Sequence, residues 1–531
     1  MASEGSDNAA FDVILVGLGP VGATAAILFA EAGLRVAAIE RDEEVYRLPR
    51  AVNLDGEIVR AFQRMGRGEA VAALMQQKRP GERVGFTNSR REWLFGTPVR
   101  EFGSNGWQPM NMFDQPELEG FLRSEAVNHA NVTAYIGFEA SGLQGDGEQV
   151  RITASPNGGG EPERLCGRYL VACDGASSST RKLCGIGWES LGYDHDWLVV
   201  DVTLKDGHTL DLDTVQVCDP GRLATYVCTK DPYRRWEFRL NEGETAEHML
   251  DPETIQSLID PWTPRGTYDI RRAAVYQFHA ATADRWRVGN IFIAGDAAHQ
   301  TPPFLGQGMN AGMRDVINLA WKLPLVLAGL ADDELLDTYH AERDAHARDL
   351  VEWAVAIGRL MEHLAEVERA EREGRTAPET PLALRSSGYG QGRDQPPLRD
   401  GAVMLDQVGD SSSTGHLFSQ PIVCDGEGNE CRLDELLGDG FSLVVRTGGD
   451  LKISEPSPAI LSRLGATTVT LEELQAVRGH FDRLFGEHAA ALVRPDRIVF
   501  GHATDSADLD GLIDALAQKL TLTTTTRGGP T

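Results

Sequence analysis

The chain has 531 residues, 41% hydrophobic and 24% charged, with 79 acidic against 51 basic side chains for a net charge of −28. That is the composition of a soluble globular protein of about two to four domains, and its acidity argues against nucleic acid, which needs a basic footprint, and against anionic lipid. Seven cysteines with no C-x-x-C pair and no zinc spacing fit a reducing cytoplasm, with no disulfide framework and no metal site.

Met1 to Asn8 carries Glu4 and Asp7 without a basic cluster, unlike a signal peptide. Phe11 to Val16 reads as a buried strand, followed by Gly17-Leu18-Gly19-Pro20-Val21-Gly22 and an Ala-rich helix closed by Gly33. Leu34 to Ile39 is a second strand, ending in Glu40. Val13 to Ala30 has the length of a membrane span, but its glycines and the charges that follow favour strand, turn and helix. This is a dinucleotide fingerprint in context. Gly17 permits the tight turn, Gly19 lets the backbone approach a pyrophosphate, and Gly22 lets helix and strand pack closely. Glu40, 18 residues after Gly22, stands where an acid binds ribose hydroxyls.

Asp55 to Met65 is helical, and Arg83 to Phe95 alternates like strands of another sheet. Asp114-Gln115-Pro116 opens a further helix, with Asp114 or Gln115 as its cap. The strand Arg168 to Cys173 runs into Asp174-Gly175, with hydroxyls and Arg181 following; a capped helix start satisfies the same residues. Strand-like runs then dominate: Trp197 to Leu204, Thr214 to Cys218, Leu223 to Thr229, Arg235 to Leu240 and Arg272 to Phe278. In Arg235-Trp236-Glu237-Phe238-Arg239 the charged and aromatic residues point to opposite faces. These runs form a mostly antiparallel sheet inserted in the nucleotide domain.

Ile291 to Ala294 is a short buried strand that ends in Gly295-Asp296. Pro302, Pro303, Gly306 and Gly308 make a loop, and a helix runs from about Met309 through Trp321. A carboxylate at a strand end can accept from a sugar hydroxyl, and a helix N-terminus can hold negative charge. Both suit a flavin. Leu335 to Glu371 is a long helix with Leu350, Trp353, Ala354, Ile357, Leu360 and Met361 on one stripe. Residues 372–400 are a linker, in which Gly388-Tyr389-Gly390-Gln391-Gly392 has no strand before it. Beyond it, strand Phe441 to Arg446, helix Thr470 to Val477, strand Arg497 to Phe500 and helix Asp508 to Leu520 fit a small α/β unit. Thr521 to Thr531 is a low-complexity, flexible tail.

The order of fingerprint, D-G segment and G-D segment resembles the single-component FAD-dependent aromatic hydroxylases of the para-hydroxybenzoate hydroxylase fold. Within them it is most similar to the 3-(3-hydroxyphenyl)propionate hydroxylases. The likeness rests on Pro49-Arg50-Ala51, Gln115-Pro116, Cys173-Asp174-Gly175, Arg235-Trp236-Glu237-Phe238, Gly295-Asp296-Ala297-Ala298-His299, Gly306-Gln307-Gly308 and Gly312-Met313-Arg314-Asp315. It implies an α/β fold: a discontinuous FAD-binding Rossmann-like domain (10–75, 112–185 and 285–335) and an inserted, mostly antiparallel β-sheet substrate domain (76–111 and 186–284). The long helical segment (336–371), the linker and a C-terminal thioredoxin-like α/β domain (401–520) follow. With Cys424 and Cys431 seven apart, that domain is not a disulfide catalyst.

The resemblance further implies roles. Gly17, Gly19, Pro20, Val21 and Gly22 hold the FAD pyrophosphate, Glu40 and Arg41 lie at the adenosine ribose, and Arg50 and Gln115 contact the ribityl-phosphate region. Asp174, Gly175 and Arg181 belong to a segment serving FAD and NAD(P)H. Gly295 and Asp296 bind the ribityl chain, and Pro303, Gly308, Met309 and Asn310 face the isoalloxazine, with Pro303 also at the reacting centre. NAD(P)H docks transiently, dioxygen is activated as a flavin 4a-hydroperoxide, and a phenolic substrate is hydroxylated. Tyr226, Tyr276 and His279 are candidates to contact the phenol, and Arg239 or Arg235 to pair a substrate carboxylate. Each also fits packing or inter-strand pairing, and His299 is expected to pack and hydrogen-bond its loop. Relatives often carry an aromatic such as Trp near Phe304, where this chain has P-P-F-L. The alternatives are a tailoring oxygenase acting on a polycyclic natural product, a non-oxygenating flavin dehydrogenase and a ligand-sequestering protein. A cytoplasmic homodimer is the expected form.

Overall fold

The computed structural model describes residues 11–79, 81–210, 213–381, 395–409, 412–447, 451–481 and 488–522. The expectations for Met1 to Asn8, for Gly388 to Gly392 and for all of the tail beyond Leu522 lie outside these residues. Thr521 and Leu522 are pinned: Asp332 N donates to Thr521 O, and Leu522 bridges Ala331.

The strand Phe11–Val16 is flanked in parallel by Glu163–Ala172 and Val36–Glu40. Ile291–Ile293 and Val132–Ile136 extend the sheet in parallel on either side. This doubly wound sheet carries the helix Pro20–Glu31 and the helix Gly308–Leu327 against each other. Val13, Ile14 and Leu15 are fully buried, as a near-continuous apolar run in a parallel sheet must be. Strand ends therefore converge: Val16, Cys173 and Ala294 lead into Gly17, Asp174 and Gly295 side by side. Nucleotide sites form at such carboxyl ends.

The second sheet has the order His299–Gln300, Tyr268–Ala283, Trp188–Leu204, Tyr233–Arg239, Ala224–Cys228, Thr214–Cys218, Arg83–Asn88, Trp93–Pro98. All its neighbours are antiparallel except Thr214–Cys218 with Arg83–Asn88. The segment after Asp296 is itself its edge strand, so the G-D loop is hydrogen-bonded into the substrate sheet.

The long helix is Thr338–Arg372, preceded by a 3-10 turn at Asp333–Asp337. Ile357, Leu360 and Met361 of the expected stripe, joined by Val351, pack with Phe304 and Trp197 over one end of the substrate sheet. Among the described residues, no helix is long and apolar enough to cross a membrane.

In the C-terminal unit the strand order is Thr467–Thr470, Ser442–Val445, Ala490–Val493, Val499–Ala503, the first pair parallel and the others antiparallel. Helices Ser457–Arg463 and Ser506–Lys519 complete the thioredoxin-like arrangement. The helix expected over Thr470 to Val477 is not there: Thr467–Thr470 and Gln475–Arg478 are strands, with a turn between. Thr467, Thr468 and Val469 are β-branched and pair with Ser442–Val445, and sheet pairing overrides a weak helical pattern. Two buried ion networks fasten this unit. Arg60 pairs with Asp434, and Arg494 with Glu342 and Asp496.

Candidate active site

A cavity of about 2610 Å³ runs from the fingerprint to the face of the substrate sheet. Gly17, Gly19, Pro20, Val21, Glu40, Arg41, Arg50, Gln115, Asp174, Gly175, Gly295, Asp296, Pro303, Gly308 and Met309 all line it. These come from segments almost 300 residues apart in sequence, and the convergence of strand ends brings them together.

The glycines test whether FAD fits. Gly17 has φ 95°, and a Cβ there would lie 2.5 Å from Cys173 O. A Cβ on Gly22 would lie 1.9 Å from Gly17 O, so this glycine packs turn against helix and does not line the cavity. A Cβ on Gly19 would meet nothing within 4 Å. That open space beside the helix N-terminus is what a pyrophosphate needs. Neither Gly19 nor Gln307 caps its helix with a side chain, so among the described residues no capping side chain covers the N–H groups that each N-terminus turns to the cavity. Glu40 accepts from Leu18 N at 2.6 Å and Asp42 N at 2.8 Å, which fixes its carboxylate beside the turn. Asp296 is exposed and lines the cavity, and its carboxylate takes no hydrogen bond from the described residues. Desolvation within the cavity raises its carboxyl above the ordinary range, against the pull of His299 and Arg50. Asp174 Oδ1 is buried without a partner among the described residues, while Oδ2 accepts from Thr180 N at 3.0 Å. The cradle, the open helix ends and the waiting acceptors all fit FAD.

Other residues hold this cradle. Asp315 accepts from Gly295 N at 2.9 Å, from His299 Nε2 at 2.8 Å and from Arg343 Nε at 3.0 Å. Burial pushes its carboxyl up, but His299, Arg343 and the Gly295 N–H outweigh that and hold it below the ordinary range. His299 stacks on Trp286 and is 1% exposed. Gln115 accepts from Arg50 N and Ala51 N at 3.1 and 2.7 Å. Asn310 does not line the cavity. Its side chain joins Asp55 N, Asn53 O and Gly306 O, tying the flavin loop to the loop after Arg50. Arg181 also lies off the cavity: it donates to Ala297 O and Ala176 O and stacks on Trp188, bridging the two acidic segments. Asp114 is a helix N-cap by position only, because its carboxylate is taken by Arg271 at 2.7 and 2.9 Å.

On the substrate sheet, register sets rows of side chains on the cavity side. One row holds Arg272, Asp201, Arg235 and Val227, and the next holds Ala274, Val199, Glu237, Thr225 and Gln216. A third holds Tyr276, Trp197 and Arg239. Tyr276 and His279 line the cavity, His279 with its ring bonded to Asp194 at 2.5 Å. Tyr226 does not line it. One residue out of phase with Thr225, its ring packs on Trp236 and Trp262 beneath the sheet. Arg239 does not line it either: it stands at the other end of its row from Tyr276, where it pairs with Glu362 of the long helix and with His195. Arg235 is buried. It bonds Asp201 at 2.7 Å and donates to Arg50 O at 2.6 Å and Pro49 O at 3.1 Å.

The sequence alone left three residues of the site without a role, one at the cradle and two on the substrate sheet. Arg314 joins Asp55 at 2.7 Å, Glu57 at 2.9 Å and Gln307 at 3.0 Å, which clamps the flavin loop. Asp201 pairs with both Arg235 and Arg272. Glu237 was placed on the charged face but given no role. Only the charge of Arg314 beside the G-Q-G loop gave a signal.

The FAD binding domain family matches residues 10–354, and the HcaD C-terminal domain family matches residues 415–519. The chain is 32% identical over 530 residues to a "Probable NADH-specific resorcinol 4-hydroxylase" of Rhodococcus jostii (strain RHA1), covering 96% of each. It is also 32% identical to a "3-(3-hydroxy-phenyl)propionate/3-hydroxycinnamic acid hydroxylase" of Burkholderia cenocepacia (strain HI2424), covering 95% of each. Among solved structures it is similar to aklavinone-11 hydroxylase in a ternary complex with FAD and aklavinone. That match has a TM-score of 0.77 and 25% identity, and covers 97% of this chain and 99% of that one. The flavin-dependent monooxygenase PieE shares the fold with a TM-score of 0.78 at 22% identity, covering 96% of this chain and 99% of that one. With this geometry and these matches along nearly its whole length, the chain belongs to the FAD-dependent aromatic hydroxylase family.

Proposed function

We propose that the protein hydroxylates the ring of a small phenol, consuming dioxygen and NAD(P)H. The observation that carries this is one continuous cavity, with the FAD cradle at one end and a polar sheet face at the other. FAD bound there supplies hydride acceptance and dioxygen activation, which no side chain can provide. The protein's own part is binding, orientation and exclusion of water. Gly17 and Gly19 hold the pyrophosphate, with Gly22 letting the helix pack close behind the turn, Glu40 holds a ribose, and Asp296 the ribityl chain. The open N-terminus of Gly308–Leu327 stabilises negative charge on the ring system, as unpaired N–H groups and the helix dipole do. Phe304, packed edge-on against Trp197 and Tyr193, seals one wall against water.

One observation favours a second reading. The cavity, FAD cradle included, is large against the roughly 300–1,000 Å³ of ordinary ligand sites, and aklavinone-11 hydroxylase, in a ternary complex with FAD and aklavinone, has the same fold. A tailoring role on a polycyclic phenol fits that space. Cytoplasmic location and a homodimer belong to the same proposal. The test is FAD content and NADH consumption of the purified protein with resorcinol, 3-(3-hydroxyphenyl)propionate and a polycyclic phenol, with mass analysis of each product. A product one oxygen heavier from either small phenol supports the first reading; one from the polycyclic phenol alone supports the second.

A further inference from the structure

The polar groups of the cavity-facing sheet are almost all paired. Asp201 takes Arg235 Nε and Arg272 Nη2, each at 2.7 Å. Arg235 spends its remaining donors on Arg50 O and Pro49 O. Thr225 donates to Gln216 Oε1 at 2.7 Å. Two groups are the exceptions: Arg272 Nε, which has no partner among the described residues, and the carboxyl of Glu237. Glu237 is 4% exposed, lines the cavity between Val199 and Thr225, and takes no hydrogen bond from the described residues. Its nearest ionic contact is Arg235 Nη1 at 3.9 Å, beyond hydrogen-bond reach. A buried carboxyl aimed into a cavity without a partner is costly unless a ligand completes it.

Resting on the hydroxylase reading above, we propose that Glu237 accepts the proton of the substrate's ring hydroxyl and that the substrate is a neutral hydroxyarene, not a phenolic acid. The substrate O–H bond breaks, its electron pair stays on the ring oxygen, and the proton bonds to a Glu237 oxygen. The ring carbons ortho and para to that oxygen become nucleophilic and are ready for oxygen. When the hydroxylated carbon loses its hydrogen, the ring oxygen takes its proton back from Glu237. The sum is substrate, dioxygen, NAD(P)H and one proton giving hydroxylated substrate, water and NAD(P)⁺. On this face Arg235 has no donor to spare, Arg272 keeps only a buried Nε and a long 3.4 Å contact to Tyr276, and a carboxylate substrate would lie beside Glu237 and Asp201.

The electrostatics agree with this geometry. Burial raises the Glu237 carboxyl to about 7, Arg235 and Arg272 pull it down, and Asp201 pushes it up. Tyr276 stands at the end of the next row, with its hydroxyl 3.4 Å from Arg272 Nη1. An acceptor poised near working pH is effective, and such groups contribute about 100- to 10,000-fold.

The test uses full-length holoenzyme with resorcinol as the neutral probe and 3-(3-hydroxyphenyl)propionate as the acidic one, in wild type, Glu237→Gln and Glu237→Asp. The expected wild-type kcat on resorcinol rises with pH through about 7. Glu237→Gln keeps its FAD but loses about 100-fold or more in kcat, together with that pH limb. Glu237→Asp recovers part of the rate and the limb. The acidic probe is used about tenfold less efficiently or worse, since each tenfold is a modest difference in binding. Glu237→Gln with wild-type kcat and an unchanged pH profile overturns the proton-acceptor role. Loss of FAD from both variants assigns Glu237 to structure and overturns it as well. A wild type that prefers the acidic probe overturns the substrate class. A wild type that oxidises NADH yet hydroxylates neither probe defeats the hydroxylase reading first, and this proposal with it.

Discussion

Replacing Arg494 by alanine removes the centre of the contact between the C-terminal unit and the FAD-binding body. Arg494 donates to both Glu342 oxygens at 3.0 and 2.9 Å, to Asp496 Oδ1 at 3.0 Å and to Ala402 O at 3.0 Å. Glu342 also receives Lys322 Nζ at 3.0 Å, Asn318 Nδ2 at 2.6 Å and Ala402 N at 2.8 Å. Breaking a buried pair costs about 3–5 kcal/mol, because the partner stays buried and uncompensated. Lys322 and Asn318 remain on Glu342, so the lower end applies, about 3 kcal/mol. With a urea slope of about 3 kcal/mol/M, the unfolding midpoint falls by about 1 M. Arg35→Ala, which breaks an exposed pair with Asp12, is the control and costs less than about 1 kcal/mol. Acid unfolding gives the sign independently. Burial opposes ionisation of Glu342, but Arg494 and Lys322 outweigh it and hold the carboxyl below its ordinary range. The stability from this depressed group is present above the ordinary glutamate value and lost as pH falls through the folded one. Without Arg494 the folded value rises, so the variant unfolds at a higher pH. A midpoint shift no larger than that of the control would refute the reasoning.

Gly19→Ala and Gly22→Ala separate cofactor space from packing space. The first meets open space and leaves the apo-protein's melting temperature unchanged while weakening FAD binding; the second drives a methyl into Gly17 O and lowers both. Flavin absorbance and thermal melts distinguish them. Glu237→Gln also changes stability against pH. The wild-type group is raised to about 7, so its favourable contribution is present below the ordinary glutamate value and lost as pH rises through about 7. The variant therefore gains on wild type between pH 5 and pH 8, by up to about 3 kcal/mol, in paired denaturation curves. Arg239→Ala keeps kcat and KM within about twofold and costs less than about 1 kcal/mol, since it breaks only a half-exposed pair off the cavity. A large rise in KM for an acidic phenol would return Arg239 to the substrate.

The cofactor cradle was legible because its chemistry is local: a turn, a helix start and an acid at a strand end stand in short motifs. Gly17, Glu40, Asp174 and Asp296 each follow a buried strand, and parallel strands bring their ends together. The clamps on those motifs were not legible. Arg314 meets Asp55 across 259 positions, and Arg235 meets the carbonyl of Arg50 across 185. Alternation showed that Arg235 and Glu237 share a face opposite Trp236, but the phase of Tyr226 depends on its pairing with Trp236. Nor could alternation show that the Arg239 end of its row meets the long helix, because that depends on Phe304 and Trp197 packing against Ile357. The strands near Thr470 were misread because their pairing partner lies outside any local window.

The most direct measurement of the central claim is NADH oxidation by the FAD-loaded protein under isotopically heavy dioxygen, with a phenol present and mass analysis of the product. The account predicts that the phenol accelerates oxidation and that the product carries one heavy oxygen atom on its ring. Acceleration with all the oxygen recovered as hydrogen peroxide, for the small and the polycyclic phenols alike, would contradict it.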